Sequence, residues 1–221
     1  MPEVSGIMAE LAAMDDPRMR MVNARHGDDH GVNLTALRAL AKRLKTQHEL
    51  AKALWATGDT AAGLLATLIA KPKAFTPDEL DAMVRDIRGP KLLDWFVTNL
   101  VKPGRHAEAL RLRWKDETGF VGRAGWSLTT DRVIKHAEGL DLDGLLDQIE
   151  AEMKDAPEPK QWPMNHCLAE IGIRHPAYRS RAIAIGEKLQ VLIDYPASPG
   201  CTPPYAPVWI AEMVRRRDAA A

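Results

Sequence analysis

The 221-residue sequence predicts an all-α protein built from stacked pairs of antiparallel helices. Residues that start and stop helices recur along the whole chain, and apolar residues between them recur every three to four positions. No stretch alternates polar and apolar residues over more than a few positions, as a half-buried strand would. A chain of this length can bury one good-sized core, or a row of repeats that share one.

The first clear helix is predicted after Asn33, a good N-cap residue. Its apolar stripe consists of Leu34, Leu37, Ala41 and Leu44. A second helix is predicted from the run Thr46–Glu49, which has the form of a capping box. Asp59 can cap a third helix, which Pro72 stops because proline lacks a backbone N–H.

Thr76-Pro77-Asp78-Glu79 is the strongest helix start in the chain, since it combines a cap, a proline at the first position and a capping-box glutamate. Pro90 can open the next helix, which we expect to run to Pro103. We predict the remaining helices at about 105–115, 119–136, 141–154, 162–174, 177–191 and 206–217. Asp155–Pro159 is predicted as a linker, and Tyr195–Pro207 as a proline-rich loop.

The helix pairs recur about every 30–40 residues, which is the spacing of HEAT-type helical repeats. One pair cannot bury its own apolar face, so the pairs must stack. This predicts a curved solenoid with a concave groove, formed as a single domain over residues 1–221; a compact helical bundle is the alternative architecture.

The composition limits the function classes. The sequence has 30 basic and 30 acidic residues, which disfavours a protein coated with nucleic acid but leaves room for a local basic patch. The first residues lack a basic region followed by a long apolar stretch, and no run of about 18 apolar residues occurs, so we expect neither a secretory signal nor membrane association. The two cysteines, Cys167 and Cys201, form no CxxC motif. We therefore expect a cytoplasmic protein without a metal site.

Four stretches carry a family resemblance, in a fixed order and spacing. They are GVNLTALRALAKRL with HELAKALWATG and LLATLIAKP, then LDAMVRDIRGPKLLDWFVTNLV, then FVGRAGWSL, and finally PMNHCLAEIGIRHP. Together they resemble the AlkD-like DNA alkylation repair family, the HEAT-like repeat alkylpurine DNA glycosylases. The resemblance covers residues 30–190 and leaves 192–221 as an extra C-terminal loop and helix.

The resemblance implies hydrolysis of the N-glycosidic bond of cationic alkylated purines in duplex DNA. It implies no cofactor, and we expect a monomer whose partner is alkylated double-stranded DNA. A purine alkylated at N3 or N7 already carries a positive charge, so the leaving base needs no protonation. One carboxylate can stabilise the oxocarbenium-like sugar and position water, and aromatic faces can attract the cationic base.

The implied catalytic residue is Asp94, which aligns with the family's carboxylate and lies on the helix arc opposite its apolar residues. A solvated acid paired with Lys91 is the alternative interpretation. The family's aromatic residue before this carboxylate falls on Pro90. Trp95 is a candidate replacement for that ring. The alternative interpretation is that Trp95 is a core tryptophan between repeats.

Further DNA-binding residues are implied along the second half of the chain. Arg123 aligns with the family arginine that holds the DNA backbone; a surface arginine is the alternative. His166 stands where the family carries a second tryptophan, and Asn165 and Trp162 lie beside it. Trp162 can supply an aromatic wall or simply pack at a helix start.

Three function hypotheses follow, the third being a pure protein-interaction scaffold, which would have a neutral or apolar groove. The first is a DNA repair glycosylase, favoured by Asp94 and Arg123. The second is a non-catalytic helical-repeat module that binds DNA or a protein partner, favoured by Pro90 and His166, where the chain departs from the family.

Overall fold

A computed structural model describes residues 3–198 and 200–219, and within these residues the chain forms thirteen α-helices and no strand. An isolated antiparallel bridge joins Asp15 to Val32. The all-α prediction is therefore confirmed. The helices are α1 (Val4–Ala13), α2 (Pro17–Ala24), α3 (Leu34–Leu44), α4 (His48–Trp55), α5 (Thr60–Ile69), α6 (Pro77–Asp86), α7 (Pro90–Phe96), α8 (Ala107–Trp114), α9 (Gly119–Lys135), α10 (Leu142–Glu152), α11 (Glu158–Arg174), α12 (Arg179–Leu189) and α13 (Ala206–Asp218).

The chain divides into two compact units, Met1–Leu110 and Arg111–Ala221. In the first unit, α5 is the central helix, and all its residues except Thr60 and Leu68 are buried. It packs against α3, α4 and α7. A Cβ on Gly63 of α5 would lie 3.1 Å from a methyl group of Leu92. The glycine therefore lets α7 approach α5 closely.

In the second unit, α11 is the central helix, and it packs against α9, α10, α12 and α13. Pro163 lies inside α11 without ending it. The core around it is apolar, and its fully buried members include Trp126, Leu146, Ile149, Met153, Met164, Cys167, Leu168, Ala169 and Ile171. Burial raises the pKa of the Cys167 thiol to about 12, so this cysteine is a core residue and not a reactive thiolate.

The predicted helix starts agree with the structure where the cap and its partner are close in sequence. The side chain of Asn33 accepts hydrogen bonds from the N–H groups of Thr35 and Ala36. Asp59 caps α5 through the N–H of Ala62, and both halves of the Thr76 capping box are formed. These three predictions are confirmed.

The predicted capping box at Thr46 is wrong. Helix α4 begins at His48, its N-cap is Gln47, and no side chain caps it. The Gln47 N–H instead donates to the carbonyl of Ile69 at 2.7 Å, and its side-chain amide donates to the carbonyl of Leu44 at 2.9 Å. These two bonds, of which the one to Ile69 is long-range, accompany a helix start one residue later than the local pattern predicts.

Two further boundaries and two whole helices differ from the sequence predictions. Helix α11 begins at Glu158, which shortens the predicted linker, and α7 passes into a π-helical turn at Val97–Val101. Helices α1 and α2 were not predicted. None of the described helices is long and apolar enough to cross a membrane. The single-domain arrangement remains a prediction.

Candidate nucleic-acid interface

Asp94 is exposed in the middle of α7, as its place on the helix arc predicts. On the opposite side of the helix, Leu93 and Phe96 are fully buried. The π-helical turn that follows contains one extra residue per turn, and both Leu100 and Val101 are buried there. One side of α7 is therefore packed against the core, and the side that carries Asp94 is exposed to solvent.

A distant loop anchors the start of α7. The carboxylate of Asp28, which is 3% exposed, accepts a hydrogen bond of 2.9 Å from the N–H of Lys91. Gly27 has a φ of +79°, and a Cβ there would lie 3.5 Å from the ring of Pro90. Asp28 thus caps the helix that holds Asp94. This cap comes from 63 residues away, so it leaves no signal in the local sequence.

Trp95 is half-buried and already holds a cation. The guanidinium carbon of Arg38 lies 4.8 Å from the centre of the Trp95 ring. A planar cation over an indole face is attracted by the electron density of the ring. The residue next to Asp94 is therefore a cation-binding aromatic, although its ring points about 100° further round the helix.

Arg123 lies on α9 and is partly exposed. The residues around it on the helix include two buried glycines, Gly122 and Gly125. A Cβ on Gly125 would lie 2.5 Å from the Cα of Lys115, and one on Gly122 would collide with the carbonyl of Glu117. The glycines let the turn between α8 and α9 lie directly against α9, which fixes the helix that presents Arg123.

Asn165 does not reach the surface. It is 2% exposed, and its side-chain amide donates a hydrogen bond of 2.7 Å to the carbonyl of Pro204. The sequence predicted a DNA contact for this residue. The structure instead gives it the role of holding the chain between α12 and α13 against α11.

His166 stacks on a ring of the C-terminal helix α13. Its imidazole lies 5.0 Å from the Trp209 ring, with 12° between the planes. Its Nε2 is 3.6 Å from Glu170, which also accepts a hydrogen bond of 2.5 Å from Arg174. Burial opposes ionisation of Glu170, but the bonds from His166 and Arg174 outweigh it, and the pKa of this carboxyl lies below its usual range.

Trp162 makes a second ring pair, which is edge-to-face and not stacked. Its ring meets that of Tyr195 at 5.0 Å, with 60° between the planes. The structure thus brings Trp162 and His166 together with two rings of the C-terminal segment. Tyr195 and Trp209 were missed because that segment has no counterpart in the family stretches, and their partners are more than 30 residues away.

A separate cavity lies in the first unit. Its volume is about 460 Å³, and its polar lining includes Asp15, Arg20, Asp29, His30 and Asp59. Burial lowers the pKa of His30, whose Nε2 has no hydrogen-bond partner among the described residues. None of the predicted site residues lines this cavity. Within the described residues, no three or more His, Cys, Asp or Glu side chains are arranged to hold a metal ion.

Comparison with known proteins adds two findings. Residues 7–210 match the family model described as "DNA alkylation repair enzyme". The match therefore extends beyond the predicted 30–190 at both ends. No curated protein matches the chain.

The chain is also similar to a solved structure of "a new family of proteins related to the HEAT-like repeat DNA glycosylases with affinity for branched DNA structures". The TM-score is 0.77 at 21% sequence identity, over 99% of this chain and 95% of the other. At this level of identity the likeness shows a shared HEAT-like repeat fold.

Proposed function

The chain belongs to the DNA alkylation repair enzyme family, and from that premise we propose that it binds duplex DNA and hydrolyses the N-glycosidic bond of purines made cationic by alkylation. Asp94 is the proposed catalytic carboxylate. Arg123 is the proposed contact to the DNA backbone.

The observation that carries this proposal is the cation over Trp95. The guanidinium of Arg38 is planar, delocalised and positively charged, and so is an alkylated purine. The ring that accepts it, at 4.8 Å, belongs to the residue next to Asp94. An indole face that attracts this guanidinium can attract a cationic purine in its place, because both are planar and positively charged.

The proposed reaction requires one carboxylate from the protein. As the bond between the sugar and the cationic base breaks, the base leaves as a neutral molecule and the sugar becomes oxocarbenium-like. The negative charge of Asp94 stabilises that sugar and orients a water molecule, whose oxygen forms the new bond to the sugar carbon and which releases one proton to the solvent. No general acid is required, because alkylation has already activated the leaving group.

The test is release of free base from duplex DNA that carries N3- or N7-methylated purines. Asp94→Asn keeps the shape of the side chain and removes its charge, so we expect base release to fall by about 10²–10³-fold. Asp155→Asn, at an exposed aspartate in the turn after α10, is the matched control and should leave the rate unchanged.

Equal rates for wild type and Asp94→Asn would rule out Asp94 as the carboxylate. No base release by the wild type would rule out the glycosylase itself. Binding of Asp94→Asn to undamaged duplex should be unchanged or slightly tighter, because one repulsive charge is removed, and this confirms that the variant is folded.

The second candidate is a DNA-binding repair protein without catalysis. Proline at position 90 and histidine at position 166 favour it, because they replace the aromatic residues that the family resemblance predicts there. The affinity of the structurally similar protein for branched DNA also supports it. In this case the wild type binds DNA in a salt-dependent way but releases no base from any methylated substrate.

A further inference from the structure

The C-terminal segment builds a row of rings on α11. Trp162 and His166 are four residues apart on the helix, so they are neighbours on one face. Tyr195 lies against the first and Trp209 against the second, each at 5.0 Å between ring centres. These four residues form one continuous group, which we call the aromatic row.

The rings of the aromatic row lie at the edge of the core, and Trp209 packs against it. Tyr195 is 45% exposed and the His166 side chain 36%, and both tryptophans are partly exposed. Met164, Cys167 and Leu168 of the same helix form the fully buried core. The rings are therefore available to bind another molecule.

The segment around the row is also apolar at its surface. Six large hydrophobic side chains are well exposed among the described residues, and three of them, Ile193, Tyr195 and Val208, flank or belong to the row. A concentration of exposed apolar side chains in one place usually marks a contact surface.

Cationic side chains that suit a polyanion also gather at the C-terminal end of α11, about two turns beyond His166. Three guanidinium groups converge on the last turns of α11: Arg179 donates to the carbonyl of Gly172 at 3.0 Å, Arg217 to that of Ile173 at 3.1 Å, and Arg174 to Glu170 at 2.5 Å. Glu170 is the only acidic partner that these bonds include. Each arginine has further N–H groups that can reach phosphate.

Proteins bind single-stranded nucleic acid by combining a row of aromatic rings with nearby cationic side chains. The bases stack on the rings, and the phosphates contact the cations. A base inside an intact duplex is already stacked on both faces, so it cannot also stack on such a surface. We propose that the aromatic row binds unpaired bases, and that it directs the protein to DNA in which a single-stranded arm adjoins a duplex. This rests on the DNA binding proposed above.

The test compares a blunt duplex with the same duplex carrying an unpaired arm, by fluorescence polarisation. We expect wild type to bind the armed duplex roughly tenfold more tightly or better, since one stacked base contributes about that much. Tyr195→Ala should remove most of this preference and leave the affinity for blunt duplex unchanged, whereas Tyr195→Phe should keep it. Tyr195 is exposed enough that its truncation leaves no cavity.

Val208→Ala is the matched control, since Val208 is 44% exposed in the same segment but carries no ring. It should keep the preference. Quenching of tryptophan fluorescence by the armed duplex, reduced in Trp209→Phe, would give an independent sign of stacking.

Equal affinity of the wild type for both probes would overturn the inference, and so would a preference that survives Tyr195→Ala. A wild-type dimer that Tyr195→Ala dissociates, without any preference for the arm, would instead assign the row to a second copy of the chain. Base release distinguishes this inference from the glycosylase proposal. A preference for the arm without base release would contradict only the glycosylase activity. Base release without the preference would contradict only the proposed role of the aromatic row.

Discussion

At the scale of single residues, Glu79 links the start of α6 to α4. It accepts hydrogen bonds from the ammonium of Lys52 at 2.6 Å and from the N–H of Thr76 at 2.9 Å. The bond from Lys52, followed by that from Thr76, lowers the pKa of Glu79 from 4.5 to about 2. Its ionised form is therefore bound more strongly in the folded state than in the unfolded state.

This gives a pH-dependent prediction. A depressed pKa contributes stability that is fully present above about pH 4.5 and is lost as the pH falls towards about 2. Glu79→Gln should therefore have a lower free energy of unfolding than wild type at pH 7, and the difference should disappear by pH 2. Urea unfolding across this range measures it, and Lys52→Met should reproduce most of the change. A difference that persists unchanged to pH 2 would contradict the assignment.

Some side-chain hydrogen bonds to the backbone could be predicted from the sequence, and others could not. Asn33 and Thr76 bind N–H groups two or three residues away, so their roles follow from the local sequence. Asp28 binds 63 residues away and Asn165 binds 39 residues away. Such partners depend on which helices pack together. The exposure of Asp94 was predictable from helix periodicity, but the burial of Asn165 depends on a segment that only the fold places on α11.

At the scale of helices, the packing of α9 depends on a close contact between Gly125 and the backbone of Trp114 and Lys115. A Cβ on Gly125 would lie 2.5 Å from both the Cα of Lys115 and the carbonyl carbon of Trp114, and neither backbone atom can move away alone. Gly6 in α1 has nothing within 4 Å of the same position. The two glycines are alike in the sequence and differ only in their surroundings.

We therefore expect Gly125→Ala and Gly6→Ala to change stability in opposite directions. Gly125→Ala should lower the free energy of unfolding by about 1–3 kcal/mol, because an added methyl group overpacks the contact. Gly6→Ala should raise it by about 0.5–1 kcal/mol, because alanine favours the helix. Chemical denaturation of both variants checks this, and a stable Gly125→Ala protein would mean that the turn can move away from α9.

At the scale of the whole molecule, the net charge is zero, so DNA binding must rest on where the cations lie. We expect affinity for duplex to fall steeply with salt, because each neutralised phosphate releases counterions. Arg123→Ala should weaken binding by about 1–3 kcal/mol and reduce the salt dependence by about one counterion. Arg181→Ala is the control, since that arginine is held by Asp143 at 2.8 Å and by Asp147.

Titration of labelled duplex at several salt concentrations measures both effects. Affinity that does not depend on salt would exclude a binding mode based on phosphates. An equal loss of DNA affinity in Arg181→Ala would show that any surface arginine contributes as much as Arg123, so Arg123 would have no special role.

Two small notches hold α13 in place. A Cβ on Gly172 of α11 would lie 2.6 Å from the end of Ile210, and one on Gly186 of α12 would lie 2.6 Å from the ring of Pro207. The two glycines therefore set how closely α13 can approach α11 and α12. A larger residue at position 186 has to displace the rigid ring of Pro207, whereas one at position 172 meets the end of the Ile210 side chain, which can rotate away. A shift of α13 at Pro207 would also move Trp209, two residues further on, away from the imidazole of His166.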